Sequence, residues 1–167
     1  GVSLLCHPPL TSTTQVDCDS CLTGVGGRFG KLYYSEQLPP FITQLQLSIT
    51  HLEMLNLLIA TRLFASQWAH HTVTLGCDNA ASVSVLQTGR SRDRLLAACA
   101  KQMWILATAH DVTLAPVHRS GDIMQQLGVD ALSRRHLSPR FRDIISQLLK
   151  SGTRIRVPPA LFTLLPI

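Results

Sequence analysis

Asp19, Glu53, Asp78 and Asp130 are the residues of this chain whose type and placement point most directly to chemistry. Only 10 of the 167 residues are Asp or Glu, yet these four lie at element ends beside apolar segments, where an unpaired carboxylate is expensive to bury. A bound cation offsets that cost. Oxygen-only ligands suit a hard ion such as magnesium, which prefers carboxylates, water and substrate phosphate. Two carboxylates at adjacent strand ends, one on a crossover helix and one on a late helix, can hold two divalent ions about 4 Å apart. That is the arrangement that drives in-line phosphoryl displacement.

Each of the four also has a plain structural role open to it. Asp19 can be a strand-end turn residue, and Asp17 on the same strand face competes with it as first ligand. Thr50-x-x-Glu53 has the form of a capping box. Asp78 can cap a helix, and Asp130 can be a surface carboxylate. Gly24, Gly26 and Gly27 follow Asp19, and their missing side chains would let a phosphate approach the backbone.

Hydrophobic period traces the strands and helices around these groups. From Gln15 the chain alternates, with Val16 and Cys18 on one face and Gln15, Asp17 and Asp19 on the other, as a strand does. Residues 30–34 continue a meander. The apolar stripe Leu52, Leu55, Ile59, Leu63 predicts a mostly buried helix from Thr50 to Trp68. Val73, Leu75 and Cys77 alternate toward Asp78, and a short helix capped by Asp78 or Asn79 runs to Leu86 before Gly89. A long helix is expected from Ser91 to His110, a strand from Val112 to Val117, and a helix near Gln125 to Arg135. A last helix opens at Pro139 and closes by Gly152. These predict an α/β fold with a five-stranded mixed sheet: an antiparallel meander on one side, parallel crossovers on the other, helices flanking. Residues 1–13 read as a leading linker, 14–152 as the domain and 153–167, with Pro158, Pro159 and Pro166, as an exit linker.

Composition agrees with one domain. Hydrophobic residues are 46% and charged residues 15% of the chain, against about 25% charged in soluble domains generally, which argues against disorder. The net charge of +5 is compatible with a polyanionic partner. Arg90, Arg92 and Arg94 cluster at the start of the long helix, where backbone donors also favour phosphate. No apolar run reaches the about 18 residues of a membrane span. Five cysteines, an odd number, point to reduced thiols in an intracellular compartment, cytoplasm or nucleus. Cys18-x-x-Cys21 lacks the second pair of a zinc site. A start at Gly1 suggests a segment of a longer polypeptide.

In order along the chain, Asp19-Ser20-Cys21-Leu22-Thr23-Gly24-Val25-Gly26-Gly27, Ile49-Thr50-His51-Leu52-Glu53, Cys77-Asp78-Asn79, Val85-Leu86-Gln87-Thr88-Gly89-Arg90-Ser91-Arg92-Asp93, Val117-His118-Arg119-Ser120-Gly121 and Val129-Asp130-Ala131-Leu132-Ser133-Arg134 resemble the ribonuclease H domain of reverse transcriptases. DIRS-like and Ngaro-like retrotransposons, which encode a tyrosine recombinase, carry similar domains. The resemblance implies an RNase H-like fold that hydrolyses the RNA strand of RNA–DNA hybrids. It implies two Mg2+ or Mn2+ ions on Asp19, Glu53, Asp78 and Asp130, with His118 as a proton shuttle or product-release aid. Hybrid binding by Asn79, Arg90, Arg92 and Arg94 would read backbone shape and 2′-hydroxyls. Reverse transcriptase before the domain and recombinase after it are the implied partners. The chain departs from the pattern in its Asp17-Cys18-Asp19 doublet and in a longer segment from Asp122 to Gly128. A catalytically decayed nucleic-acid-binding module and a DNA-acting integrase or transposase relative are the alternatives. The four carboxylates are expected to converge within reach of a shared cation site, with Glu53 and Asp130 on the same side of the sheet; opposite sides would count against the enzyme reading.

Overall fold

Alternation in the first segment produces the central strand, β1 (Thr14–Cys21), with Val16 and Cys18 fully buried on one face. The computed structural model describes residues 14–167, so the leading segment 1–13 lies outside the described residues. β2 (Gly24–Phe29) and β3 (Leu32–Gln37) complete an antiparallel meander through a turn at Gly30, whose φ of 57° is the left-handed conformation glycine adopts freely. β4 (Thr72–Cys77) pairs parallel with β1, and β5 (Thr113–His118) parallel with β4.

The α/β class and the mixed sheet agree with the sequence, but the sheet has six strands in the order β5-β4-β1-β2-β3-β6. The sixth, β6 (Thr153–Arg154), pairs parallel with β3 at Leu32 and Tyr33. The expected exit linker is therefore part of the fold. Pro159 opens α8 (Pro159–Thr163), where a proline at the first helical positions costs nothing. Val157, Phe162 and Leu165 are buried in the main core. Two of the prolines that suggest a linker, Pro158 and Pro159, are the cap and first residue of a helix.

Helices α1 (Pro40–Thr43) and α2 (Ile49–Phe64) follow the meander, and a 3-10 turn (Ala65–Trp68) ends the second. Eleven residues of α2 are buried, so it is inside the protein nearly all round. Phe29 and Phe64 rings meet at 5.2 Å, with Trp68 6.1 Å from Phe29, joining the meander to the end of α2. α3 (Ala80–Thr88) follows β4, and α4 (Arg94–Ala109) packs against α2 on the same side.

The opposite face is covered by α6 (Val129–Arg134), with α5 (Gly121–Gln126) before it and α7 (Pro139–Leu148) after it. The single helix expected near Gln125 to Arg135 is two, because Gly128 sits at φ 78° between them. Leu132, Ile145 and Leu149 form a smaller core there. No helix among the described residues is long and apolar enough to cross a membrane.

Candidate active site

β1 and β4 run parallel in the register Asp17 to Gly76, which carries Asp19 and Asp78 to the same end of the sheet. Ligands of open α/β sheets gather beyond such strand ends. Asp19 is 3% exposed and accepts a hydrogen bond from the Ser133 hydroxyl at 3.0 Å. Glu53, 1% exposed, reaches the same end from α2 and accepts from the Ser20 backbone N–H at 2.8 Å. Asp78 is exposed. Together with Arg134, these three carboxylates line a pocket of about 270 Å³, with Leu22 and Ile49 at its rim.

Asp130 stands beside this pocket and is held by Arg134, whose Nε donates to its Oδ1 at 2.9 Å. Its field still reaches both Asp19 and Asp78. Glu53 and Asp130 come from helices on opposite faces of the sheet, contrary to the expectation of one side. The two approach around the ends of β1 and β4 rather than over a face, and Asp19 and Asp78 lie between them.

Electrostatics mark the corner. Burial first, then the nearby Asp78 charge, pushes the Asp19 carboxyl up from its ordinary 3.8 to about 7; Ser133 and Arg134 pull the other way. Burial, then Asp19 and Asp78, push Glu53 well above the usual range. Asp78 is also raised, by burial, with His118 opposing. Negative charge here exceeds its compensation, which is the condition a divalent cation relieves.

Ligand atoms of Glu53, Cys77 and Asp78 lie within 4.8 Å of one another. The Cys77 thiol, pushed up by burial, donates to Glu53 Oε2 at 3.5 Å and is thus a partner of the carboxylate. Asp19 and Asp130 lie outside that group, whose carboxylate oxygens, on Glu53 and Asp78, are of the kind that suits Mg2+ or Mn2+.

Asp17 is resolved as the other member of the doublet. It pairs with Arg119 Nε at 3.3 Å and accepts from Gln15 Nε2 at 2.7 Å, two residues back from the corner. Glu53 is not part of a capping box: the Ser48 side chain caps α2 by accepting from His51 N–H, which leaves Glu53 free to face the strand ends. The glycines after Asp19 do not form a phosphate loop. A Cβ at Gly24 would strike the Ser133 carbonyl and one at Gly26 would strike Leu132, so they let α6 lie close on the sheet. Cys18 and Cys21 point to opposite faces, one toward Tyr34 Oη and one toward the Ser133 carbonyl, which excludes a shared metal.

His118 is exposed at the end of β5, its Nε2 3.1 Å from the Asp78 carbonyl oxygen. Asn79 caps α3 by accepting from Ser82 N–H at 2.9 Å and donates to Thr50 Oγ1 at 3.1 Å. Arg90, Arg92 and Arg94 are exposed and have no acidic partner among the described residues. The helix-start donors expected to help them hold phosphate are already satisfied, because Asp93 accepts from Leu95 and Leu96 N–H and also meets His51 Nε2 at 2.6 Å.

Sequence reasoning missed three supports of the corner. Asn56, fully buried on α2, donates to the carbonyls of Asp19 and Gly26 and accepts from Tyr34 Oη at 2.6 Å, tying helix to strands. An amide one turn past Glu53 in an otherwise apolar stripe was the available signal. Ser133 and Arg134 lie within the Asp130 segment, where only the carboxylate was singled out. Comparison with protein-family models, curated proteins and solved structures finds no match to this chain.

Proposed function

We propose that this chain is an RNase H-like domain of a retroelement reverse transcriptase polyprotein, and that it hydrolyses the RNA strand of RNA–DNA hybrids with two Mg2+ or Mn2+ ions. One observation carries the reading: two nearly buried carboxylates, Asp19 and Glu53, share one sheet end with Asp78, whose charge raises the proton affinity of both. Asp130 adds its field at the same place.

Asp19, Glu53, Asp78 and Asp130 would hold the ions. When bound, they supply charge stabilisation for the phosphoryl transition state and a more acidic water. Ser133 and the Ser20 N–H keep the Asp19 and Glu53 carboxylates aimed at the pocket. Water attacks phosphorus opposite the leaving ribose oxygen, and the bond to that oxygen breaks as the new P–O bond forms. His118, beside Asp78 and open to solvent, is placed to accept the proton released from water or to supply one to the leaving oxygen. Arg90, Arg92 and Arg94 provide charge for the duplex backbone.

A second reading, a hybrid-binding module without cleavage, is favoured by the Arg134–Asp130 pair, which occupies the fourth carboxylate. An assay on labelled RNA–DNA hybrid, RNA duplex and DNA duplex, with and without Mg2+, separates the readings. Metal-dependent cleavage of the RNA in the hybrid alone supports the enzyme. Binding of hybrid without cleavage supports the module, and cleavage of DNA supports an integrase-like relative.

A further inference from the structure

Three arginines and a histidine crowd a second pocket at the same sheet end as the carboxylates. It has a volume of about 380 Å³ and is lined by Arg135, His136, Arg154, Arg156 and Glu36 among others. At roughly 30 Å³ per water, that volume has room for a phosphate group with part of its hydration.

Among the described residues lining the pocket Glu36 is the only carboxylate, and it is already engaged. Glu36 accepts from Arg156 Nε at 2.8 Å and Nη2 at 3.1 Å, and from the Val157 N–H at 3.2 Å. Arg154 stands 3.9 Å from it and spends Nη2 on the Ser35 carbonyl. Its Nε is buried with no hydrogen-bond partner. Arg135 has no acidic partner among the described residues. Burial and the like charges of Arg135 and Arg156 hold the Arg154 guanidinium below its ordinary proton affinity, with Glu36 opposing. The pocket thus contains more positive charge than its own acid neutralises, and an unused buried donor. An anion seated in the pocket would balance that charge.

The position of the pocket says which anion. Ser20, Val25 and Glu36 lie abreast across β1, β2 and β3. Glu36 is thus about two strand spacings, roughly 10 Å, from the strand position next to Asp19. That is on the order of three nucleotide steps at about 3.4 Å of axis each. α6 links the two places directly, with Asp130 and Arg134 at the carboxylate corner and Arg135 and His136 following at the basic pocket.

We propose that Arg135, Arg154 and Arg156, with His136, form a subsite for a backbone phosphodiester of the nucleic acid whose cleaved phosphate lies at the carboxylate corner. The inference rests on the nucleic-acid reading above, and its test does not depend on cleavage.

Binding of fluorescent RNA–DNA hybrid, measured without divalent metal across a salt series, is compared between the parent chain and Arg135→Gln. The variant should bind about tenfold more weakly, the scale of one charge-assisted hydrogen bond. Its log–log salt slope should be shallower by about 0.7–0.9, one phosphate contact. That result supports the subsite even if the parent cleaves nothing, a failure that would count against the enzyme alone. A folded variant with the parent's affinity and slope overturns the subsite. Should Arg135→Gln fail to fold, the His136 imidazole signals of the parent decide: shifts on adding stoichiometric hybrid support the proposal, and unmoved signals overturn it. Inorganic phosphate is the third arm. If it shifts His136 while hybrid does not, the pocket takes free phosphate and the backbone assignment is wrong.

Discussion

Ser133 donates its hydroxyl to the Asp19 carboxylate at 3.0 Å across a sequence separation of 114 residues. The same hydroxyl is 2.9 Å from the Asp130 carbonyl oxygen, so one buried side chain ties the central strand to the helix that carries the last acidic residue. Removing it leaves a nearly buried carboxylate with one donor fewer.

Ser133→Ala should therefore raise the Asp19 proton affinity beyond its value of about 7, because Ser133 now lowers it. Carboxyl carbon NMR of the metal-free protein reads that shift directly. Loss of the bond should also cost about 1–3 kcal/mol of stability. An unchanged Asp19 titration would remove Ser133 from the support of the site.

Metal-free protein should lose stability as pH rises from about 4 to about 7. Asp19 has a folded value of about 7 against an ordinary 3.8, so the folded state binds the proton more tightly. Its contribution is present in full below 3.8 and is lost as pH climbs through the folded value. Glu53 acts in the same direction. Asp93, lowered chiefly by the Leu96 N–H, contributes above its ordinary 3.8 and is lost only in stronger acid, outside that window, whereas His136, lowered by burial, opposes the trend below its ordinary 6.5. Mg2+ added at pH 8 should raise Tm by linkage. A metal-free Tm that does not fall between pH 4 and 7 contradicts the charge excess.

Gly26→Ala should cost about 1–3 kcal/mol by overpacking, since the new methyl meets Leu132 and Ser133 of α6. Gly27→Ala should cost stability as well, but its methyl meets the Tyr34 ring on the other face. Of the two folded variants, only Gly26→Ala should impair hybrid cleavage strongly, because α6 carries Ser133 and Asp130. Equal impairment by both would mean that α6 placement is not what matters.

How much of this was legible before the structure follows from range. Alternation in Gln15–Asp19 and Thr72–Cys77 is local, so both strands could be placed from period, though period could not choose between Asp17 and Asp19, which share a face. The α2 stripe was equally plain. Partners remote in sequence were not. Nothing near Glu53 reveals that Ser48 takes the cap and Ser20 takes the carboxylate. Gly24 and Gly26 have a glycine's freedom whether the visitor is a phosphate or a helix, and only α6, more than 100 residues later, decides. Pro158 and Pro159 read as breakers because burial of Phe162 and Leu165 depends on a core assembled by other segments.

Replacing Arg90, Arg92 and Arg94 together with Ala should weaken hybrid binding and flatten its salt dependence, by about 0.7–0.9 in log–log slope per lost phosphate contact. All three are exposed, so each should cost under about 0.5 kcal/mol in stability. Because Asp93 keeps α4 capped, Asp93 should be left intact. A folded triple mutant with the parent's slope would make these arginines a solvated face.

The central claim is tested most directly by the rate of RNA-strand cleavage at saturating hybrid in Mg2+, parent against Asp78→Asn. Asp78 is exposed and its charge opposes those of Asp19 and Glu53, so the substitution should leave the melting transition unchanged or higher. Metal-dependent cleavage by the parent, abolished in Asp78→Asn while hybrid binding largely persists, is the predicted result. Equal cleavage by the two proteins, or none by the parent at any Mg2+ or Mn2+ concentration, would contradict a metal-dependent nuclease at this corner.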